Sequence, residues 1–120
     1  MGQLLILRRM EAKIVGQRLD LQTVLQNLIG ARPDGKQNVY FQPPSTVRMV
    51  YPCIVYNRNN TSTRKANNGL YGYFWGYTIM VIDPNPDSEI PAKVLALPMC
   101  SFDRHYTADN LNHDLFNIFF

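Results

Sequence analysis

The sequence is poor in the residues that build catalytic and metal centres. It has two cysteines, Cys53 and Cys100, and two histidines, His105 and His113. Two cysteines make no disulfide framework, and without a CxxC pair or a Cys/His cluster there is no zinc spacing. Each cysteine sits in an apolar, strand-like run and reads as a buried free thiol of a reducing compartment. No apolar run approaches the ~20 residues of a membrane span. Leu4–Leu7 is too short for a signal-peptide core and is ended by Arg8, Arg9 and Glu11. Gly69, Gly72 and Gly76 match no phosphate loop or dinucleotide fingerprint, and no cofactor is expected. Acid is scarce in residues 1–70, where Glu11, Asp20 and Asp34 face ten Lys/Arg; in residues 71–120 six acids face Lys93 and Arg104. The overall charge of +3 therefore hides a chain polarised along its length. Unless folding mixes the halves, such a subunit suits head-to-tail contact between copies or a one-sided anionic partner.

What is present is ordinary globular material: 120 residues, 46% apolar and 18% charged. That is one domain, able to bury roughly two thirds of its unfolded surface. Residues 1–18 read as an N-terminal arm or extra helix, residues 19–120 as one α+β domain. Leu21, Val24, Leu25, Leu28 and Ile29 form one apolar stripe, which predicts a helix over 20–30 with Asp20 as N-cap and Gly30 at the left-handed C′ position. Val39–Gln42 reads as a short strand ended by Pro43–Pro44. Val47–Val50 resumes extended structure, and Cys53–Tyr56 is apolar on both faces, as in a strand covered on both sides. Asn57–Leu70 reads as a polar, basic loop.

Tyr71–Ile82 predicts a long strand, with Tyr71, Tyr73, Trp75, Tyr77, Ile79 and Val81 on one face. Either Gly72 and Gly76 bend it, or its hairpin with residues 51–58 projects beyond the core. A second helix follows, capped by Asp87 or Ser88, with Pro91 in its first turn, Ile90, Val94 and Leu97 on one face, and Pro98 as its stop. Met99–Tyr106 and Leu115–Phe120 read as strands joined by a turn over Thr107–Asn112. The expected fold is α+β: a mostly antiparallel, mixed sheet of four to five strands, two or three helices packed on one face, and one long β-hairpin.

Chemistry has few candidates. Asp103 lies near His105 and Asp114 follows His113, yet no nucleophile motif accompanies them, so a hydrolase is the weaker reading and the residues suit surface hydrogen bonds and turns. A single-stranded nucleic-acid module is the stronger competitor. Arg58, Arg64 and Lys65 precede Tyr71, Tyr73, Phe74 and Trp75, and basic residues beside exposed aromatics hold strands by charge and stacking. Against it, the same aromatics serve as sheet core or subunit contact, and +3 falls short of a dedicated binder.

Two blocks together carry a resemblance: VYFQPPSTVRMVYPCIVY after a short capped helix, and PDSEIPAKVLALPMCSFDRHYTADNLNHDLFNIFF running to the C-terminus. The pair, over residues 19–120, resembles tail terminators, the tail-completion or neck proteins of long-tailed bacteriophages. The resemblance implies a non-enzymatic virion protein, assembled in the bacterial cytoplasm, forming a homohexameric ring. The ring would cap the tail tube, join it to the head-completion or connector protein, and pass double-stranded DNA through its lumen. Another head–tail neck component is the near alternative. No membrane contact is implied. Interface or lumen candidates are Arg58, Arg64, Lys65, Tyr71, Tyr73 and Trp75.

Overall fold

The computed structural model describes residues 17–59, 64–65 and 73–120. The elements, in chain order, are α1 (Gln17–Ile29), β1 (Val39–Phe41), β2 (Cys53–Arg58), β3 (Arg64–Lys65), β4 (Tyr73–Phe74), β5 (Gly76–Asp83), α2 (Ile90–Leu95), β6 (Cys100–Ala108) and β7 (Leu111–Phe119). Five strands form one sheet in the order β1-β2-β5-β7-β6, and β3 and β4 form a separate two-stranded ladder. Among the described residues β1 and β2 run parallel and every other pairing is antiparallel. The fold is α+β, with a mixed five-stranded sheet and two helices among the described residues.

Strand parity decides the two faces. Ile54 and Tyr56 of β2, Tyr77, Ile79 and Val81 of β5, and Phe116 and Ile118 of β7 point one way. They pack under Leu21 and Leu25 of α1 and Val94 of α2, forming the main core. Each fully buried Leu contributes about 1.5–3 kcal/mol of apolar transfer. The opposite face carries a smaller cluster of Tyr40, Cys53, Val55 and Ile82, against which Met49 from the loop after β1 is packed. The pattern read from Cys53–Tyr56 holds: Cys53 and Val55 lie in one cluster, Ile54 and Tyr56 in the other.

The α1 stripe packs as its spacing requires, and Gly30 closes the helix at φ +84°, its amide donating to Gln26 O. Helical structure is already present at Gln17, so Asp20 lies in the first described turn instead of capping it. There the positive end of the helix dipole favours its carboxylate. At α2 the N-cap position belongs to Glu89, whose side chain makes no cap bond; Ser88 Oγ accepts the Ile90 amide instead, two residues on.

Four boundaries depart from expectation. Gln42 adopts φ +43° and leaves β1 one residue early, ahead of the prolines. Residues 47–50 lie outside the sheet; β1 and β2 are parallel, so the chain must cross between their opposite ends and 42–52 serves as the crossover. Asn57 and Arg58, expected in a loop, continue β2 because Thr78 and Tyr77 of β5 offer them partners. The long strand is interrupted at Trp75, which exchanges both backbone hydrogen bonds with Phe120 (3.0 and 2.9 Å).

The C-terminal pair is longer than expected. Asp109 and Asn110 take φ +53° and +61°, the left-handed pair of a two-residue hairpin turn, so β6 and β7 run to within two residues of each other. Thr107, Ala108, Asn112 and Asp114 therefore lie in strands, not in a turn, while His105 lies in β6 as expected. A β-bulge between Phe102 and Arg104 leaves Asp103 outside the ladder.

Candidate functional site

The sheet order settles where the charge goes. β1 and β2 come from the basic part of the sequence and stand at one end; β7 and β6 come from the acidic part and stand at the other. The halves meet where β5, from the acidic half, pairs with β2, and Asp83 at the end of β5 lies near Cys53. Residues 17–59 bring Arg18, Arg32, Lys36, Arg48 and Arg58 against Asp20 and Asp34, while residues 75–120 bring six acids against Lys93 and Arg104.

At the basic end an aromatic row crosses the helix side of the sheet. Phe41 and Tyr56 stand 4.9 Å apart between ring centroids, Tyr56 and Tyr77 6.1 Å. An arginine lies at each end of the row. Arg18 of α1 sits 4.6 Å over the Phe41 ring, and its Nη1 donates to Tyr56 Oη (3.4 Å), which in turn donates to Gln22 Oε1. Burial pushes the Tyr56 phenol above its ordinary pKa, with the Arg18 contact working against it. Arg58 sits 4.6 Å over Trp75 and 5.5 Å from Tyr77, and its Nη2 donates to Tyr77 Oη (3.2 Å). Register makes this possible: Arg58 stands opposite Tyr77, two residues beyond Trp75, on the helix side.

Of the predicted contact residues, Arg58 and Trp75 are thus brought together. Arg64 and Lys65 form β3, in register with Phe74 and Tyr73 of β4. Tyr71 lies outside the described residues, as do residues 1–16 of the expected N-terminal arm. Sequence reading missed Arg18, Phe41 and Tyr56 as part of this row. Parity alone put Tyr56 on the face of Arg58; nothing in the sequence brings Arg18 across from a helix thirty-eight residues away. The arrangement bears on base stacking, since one face of Trp75 already carries the Arg58 guanidinium.

Beyond α1, Asp34 accepts both Arg32 Nε (3.0 Å) and Nη2 (2.8 Å), and its Oδ1 also accepts the Lys36 amide. The Arg32 bond first, then the Lys36 amide, hold the Asp34 carboxyl well below the usual carboxylate range. Asn38 Nδ2 donates to Gly30 O (2.7 Å), closing the end of α1. Arg32, Lys36 and Asn38 line a cleft with Gln26, Asn27 and Gln37.

At the acidic end the histidines pair locally across β6 and β7. His105 Nδ1 lies 2.7 Å from Asp114 Oδ1. The Tyr106 and His113 rings stack at 4.5 Å and 7°. Arg104 and Asp103 approach at 3.7 Å in solvent, a contact worth little. Phe102 meets Phe116 edge-on at 5.5 Å yet remains half exposed.

Both cysteines are free thiols. Burial pushes Cys53 up to about 12 and Cys100 up to about 11, so neither is a thiolate near neutrality. Among the described residues no group of three or more His, Cys, Asp or Glu is placed to hold a metal ion, and no helix is long and apolar enough to cross a membrane. Compared with protein-family models, with curated proteins and with solved structures, the chain matches none.

Proposed function

We propose that this chain is a structural subunit of a long-tailed bacteriophage virion: a tail terminator that assembles as a homohexameric ring, caps the tail tube and joins it to the head connector. The observation that carries the reading is that the net-basic half of the chain supplies β1 and β2 at one edge of the sheet, while the net-acidic half supplies β7 and β6 at the other. A cyclic ring of identical subunits needs two different, complementary surfaces on each copy, and opposite charge on opposite ends supplies a means of telling them apart. The two sequence blocks that resemble tail terminators lie within this same folded unit. In the ring, Arg58, Arg64 and Lys65 face the lumen or the tube-facing rim, where they meet DNA phosphates without reading bases. The role is one of assembly, not catalysis.

Mixing the purified chain with tail-tube protein tests the reading by negative-stain imaging. Tubes of limited length, each ended by a ring, are expected. A chain that neither binds tube ends nor alters tube length overturns it. Oligonucleotide binding at two salt concentrations separates the nucleic-acid alternative, which requires strong, salt-dependent affinity for single strands.

A further inference from the structure

We propose that this chain pairs with a second copy of itself along β6, edge to edge and antiparallel, about a two-fold axis that passes through the bulge at Asp103. The pairing goes beyond the ring reading and does not rest on it: it closes at two copies and leaves the β1 end free. A ring that used the same edge would form only after the pair opens.

β6 is nine residues long and outermost in the sheet, and among the described residues no strand lies along its outer side. It carries neither proline nor lysine, two residues that usually blunt such an edge. Large apolar side chains gather beside it. Of the seven that stay exposed among the described residues, four are Leu95, Met99, Phe102 and Tyr106, each 43–50% exposed. Phe102 stands opposite Phe116 on the helix side, and Tyr106 stands opposite His113 on the other, so apolar surface flanks the edge on both faces. An open edge flanked in this way is a template for another strand.

The occupant is argued from the symmetry of β6 about its own bulge. Cys100–Phe102 precede the bulge and His105–Ala108 follow it. The extra residue shifts the alternation of faces. Cys100 and Phe102 stand opposite Ile118 and Phe116 on the helix side; so do His105 and Thr107, opposite Asp114 and Asn112. Ser101, Tyr106 and Ala108 point to the other side. A two-fold axis perpendicular to the sheet keeps the helix sides of both copies together, and residues directly opposite must share a face. With the axis at the bulge, Phe102 meets His105 of the second copy, Ser101 meets Tyr106, and Cys100 meets Thr107, each pair on one face. The two bulges face each other, so neither interrupts a regular stretch of its partner. At the axis Asp103 of each copy lies beside Arg104 of the other. Within one chain these two approach only to 3.7 Å, with Arg104 69% and Asp103 40% exposed, so both charges are open to a second copy. Moving the axis one position along sets the bulge against Ser101 or Tyr106, and both charges lose their counterparts. Charge therefore selects the register that symmetry permits.

The test uses the full chain, by sedimentation velocity. Wild type is expected to dimerise at micromolar concentration. Asp103→Arg gathers four guanidinium groups at the axis, and Arg104→Asp gathers four carboxylates. Each variant alone should be monomeric where wild type is dimeric, and an equimolar mixture of the two should recover the dimer. That recovery follows only if the bulge of one copy faces the bulge of the other. A variant that associates like wild type, or a mixture that stays monomeric, overturns the proposal. So does a wild type that is monomeric at high micromolar concentration, which would leave the edge to a different protein. Should a variant fail to fold by circular dichroism, amide exchange of wild type at low and high concentration decides: protection must rise across Cys100–Ala108, and no rise there overturns the pairing. A dimer that forms in this way but never caps tail tubes would remove the tail-terminator reading and leave the pairing standing.

Discussion

β1 and β6 end the same sheet and meet their surroundings in opposite ways. At the β1 end the strand is three residues long, prolines follow it, glutamine side chains hold its carbonyl at Val39, and the aromatic row beside it is braced by Arg18. At the β6 end nine residues run with no strand along their outer side among the described residues, beside exposed Met99 and Phe102. The closed end is finished by side chains of its own chain. The open end is finished by a bulge and a few charges, devices that limit pairing without forbidding it. One sheet can therefore be stable at one end and available for assembly at the other.

Four measurements would break or sharpen this contrast. The largest effect belongs to the paired phenylalanines. Phe116→Ala should cost about 3–5 kcal/mol in urea unfolding, because it empties the main core, whereas Phe102→Ala, across the strand pair but half exposed, should cost about 1 kcal/mol or less. Equal losses would mean that the β6 side is packed as tightly as the core.

Next come the thiols. Unfolded Cys53 releases its proton near 9.0 and folded Cys53 only near 12, so between these values the unfolded state binds fewer protons. The stability this supplies is complete below pH 9.0 and falls as pH rises through the interval. Cys53→Ala should flatten that alkaline slope in urea midpoints. In the native protein a thiol reagent should reach half-buried Cys100 before Cys53, and the reverse order would contradict the assignment of the closed end.

A smaller effect separates two tyrosines. Tyr56→Phe strips the hydroxyl that links Arg18 and Gln22 and should cost about 1 kcal/mol, while Tyr106→Phe loses only a long contact to Met80 Sδ and should stay within about 0.5 kcal/mol. The smallest change is at Arg58. Arg58→Ala removes the exposed arginine's contacts with the Trp75 and Tyr77 rings and its bond to Tyr77 Oη, about 0.5–1 kcal/mol in all, and should shift the emission of Trp75, the only tryptophan. Unaltered emission would show that the guanidinium does not rest on that ring.

Much of the fold was legible because it depends on local periodicity. The stripe from Leu21 to Ile29 gave α1, and the left-handed preference of glycine placed its end at Gly30. Alternation gave both faces of β2 and β5, including the opposed placement of Cys53 and Ile54. Boundaries were less legible where partners decide them. Asn57 and Arg58 look like loop residues, yet β5 offers them a ladder; Thr107 and Asn112 look like turn residues, yet Asp109 and Asn110 alone make the turn. The contact residues fared likewise. Arg58 and Trp75 were named from their types, while Arg18 and Phe41, which complete the same row, carry no local signal.

The sequence by itself determined which side chains share a face, where α1 ends, and that charge is divided along the chain. Those are properties of spacing and composition, carried by each segment alone. Only the tertiary structure decided that β1 lies parallel to β2, that Arg18 braces Tyr56, and that β5 from the acidic half pairs with β2 from the basic half, so that β1 and β6 end on opposite edges. A period of two fixes the face a residue points to, but not the strand it will lie beside. Neighbours are chosen by long-range pairing, and that pairing turned a charge gradient in sequence into two unlike ends of one sheet.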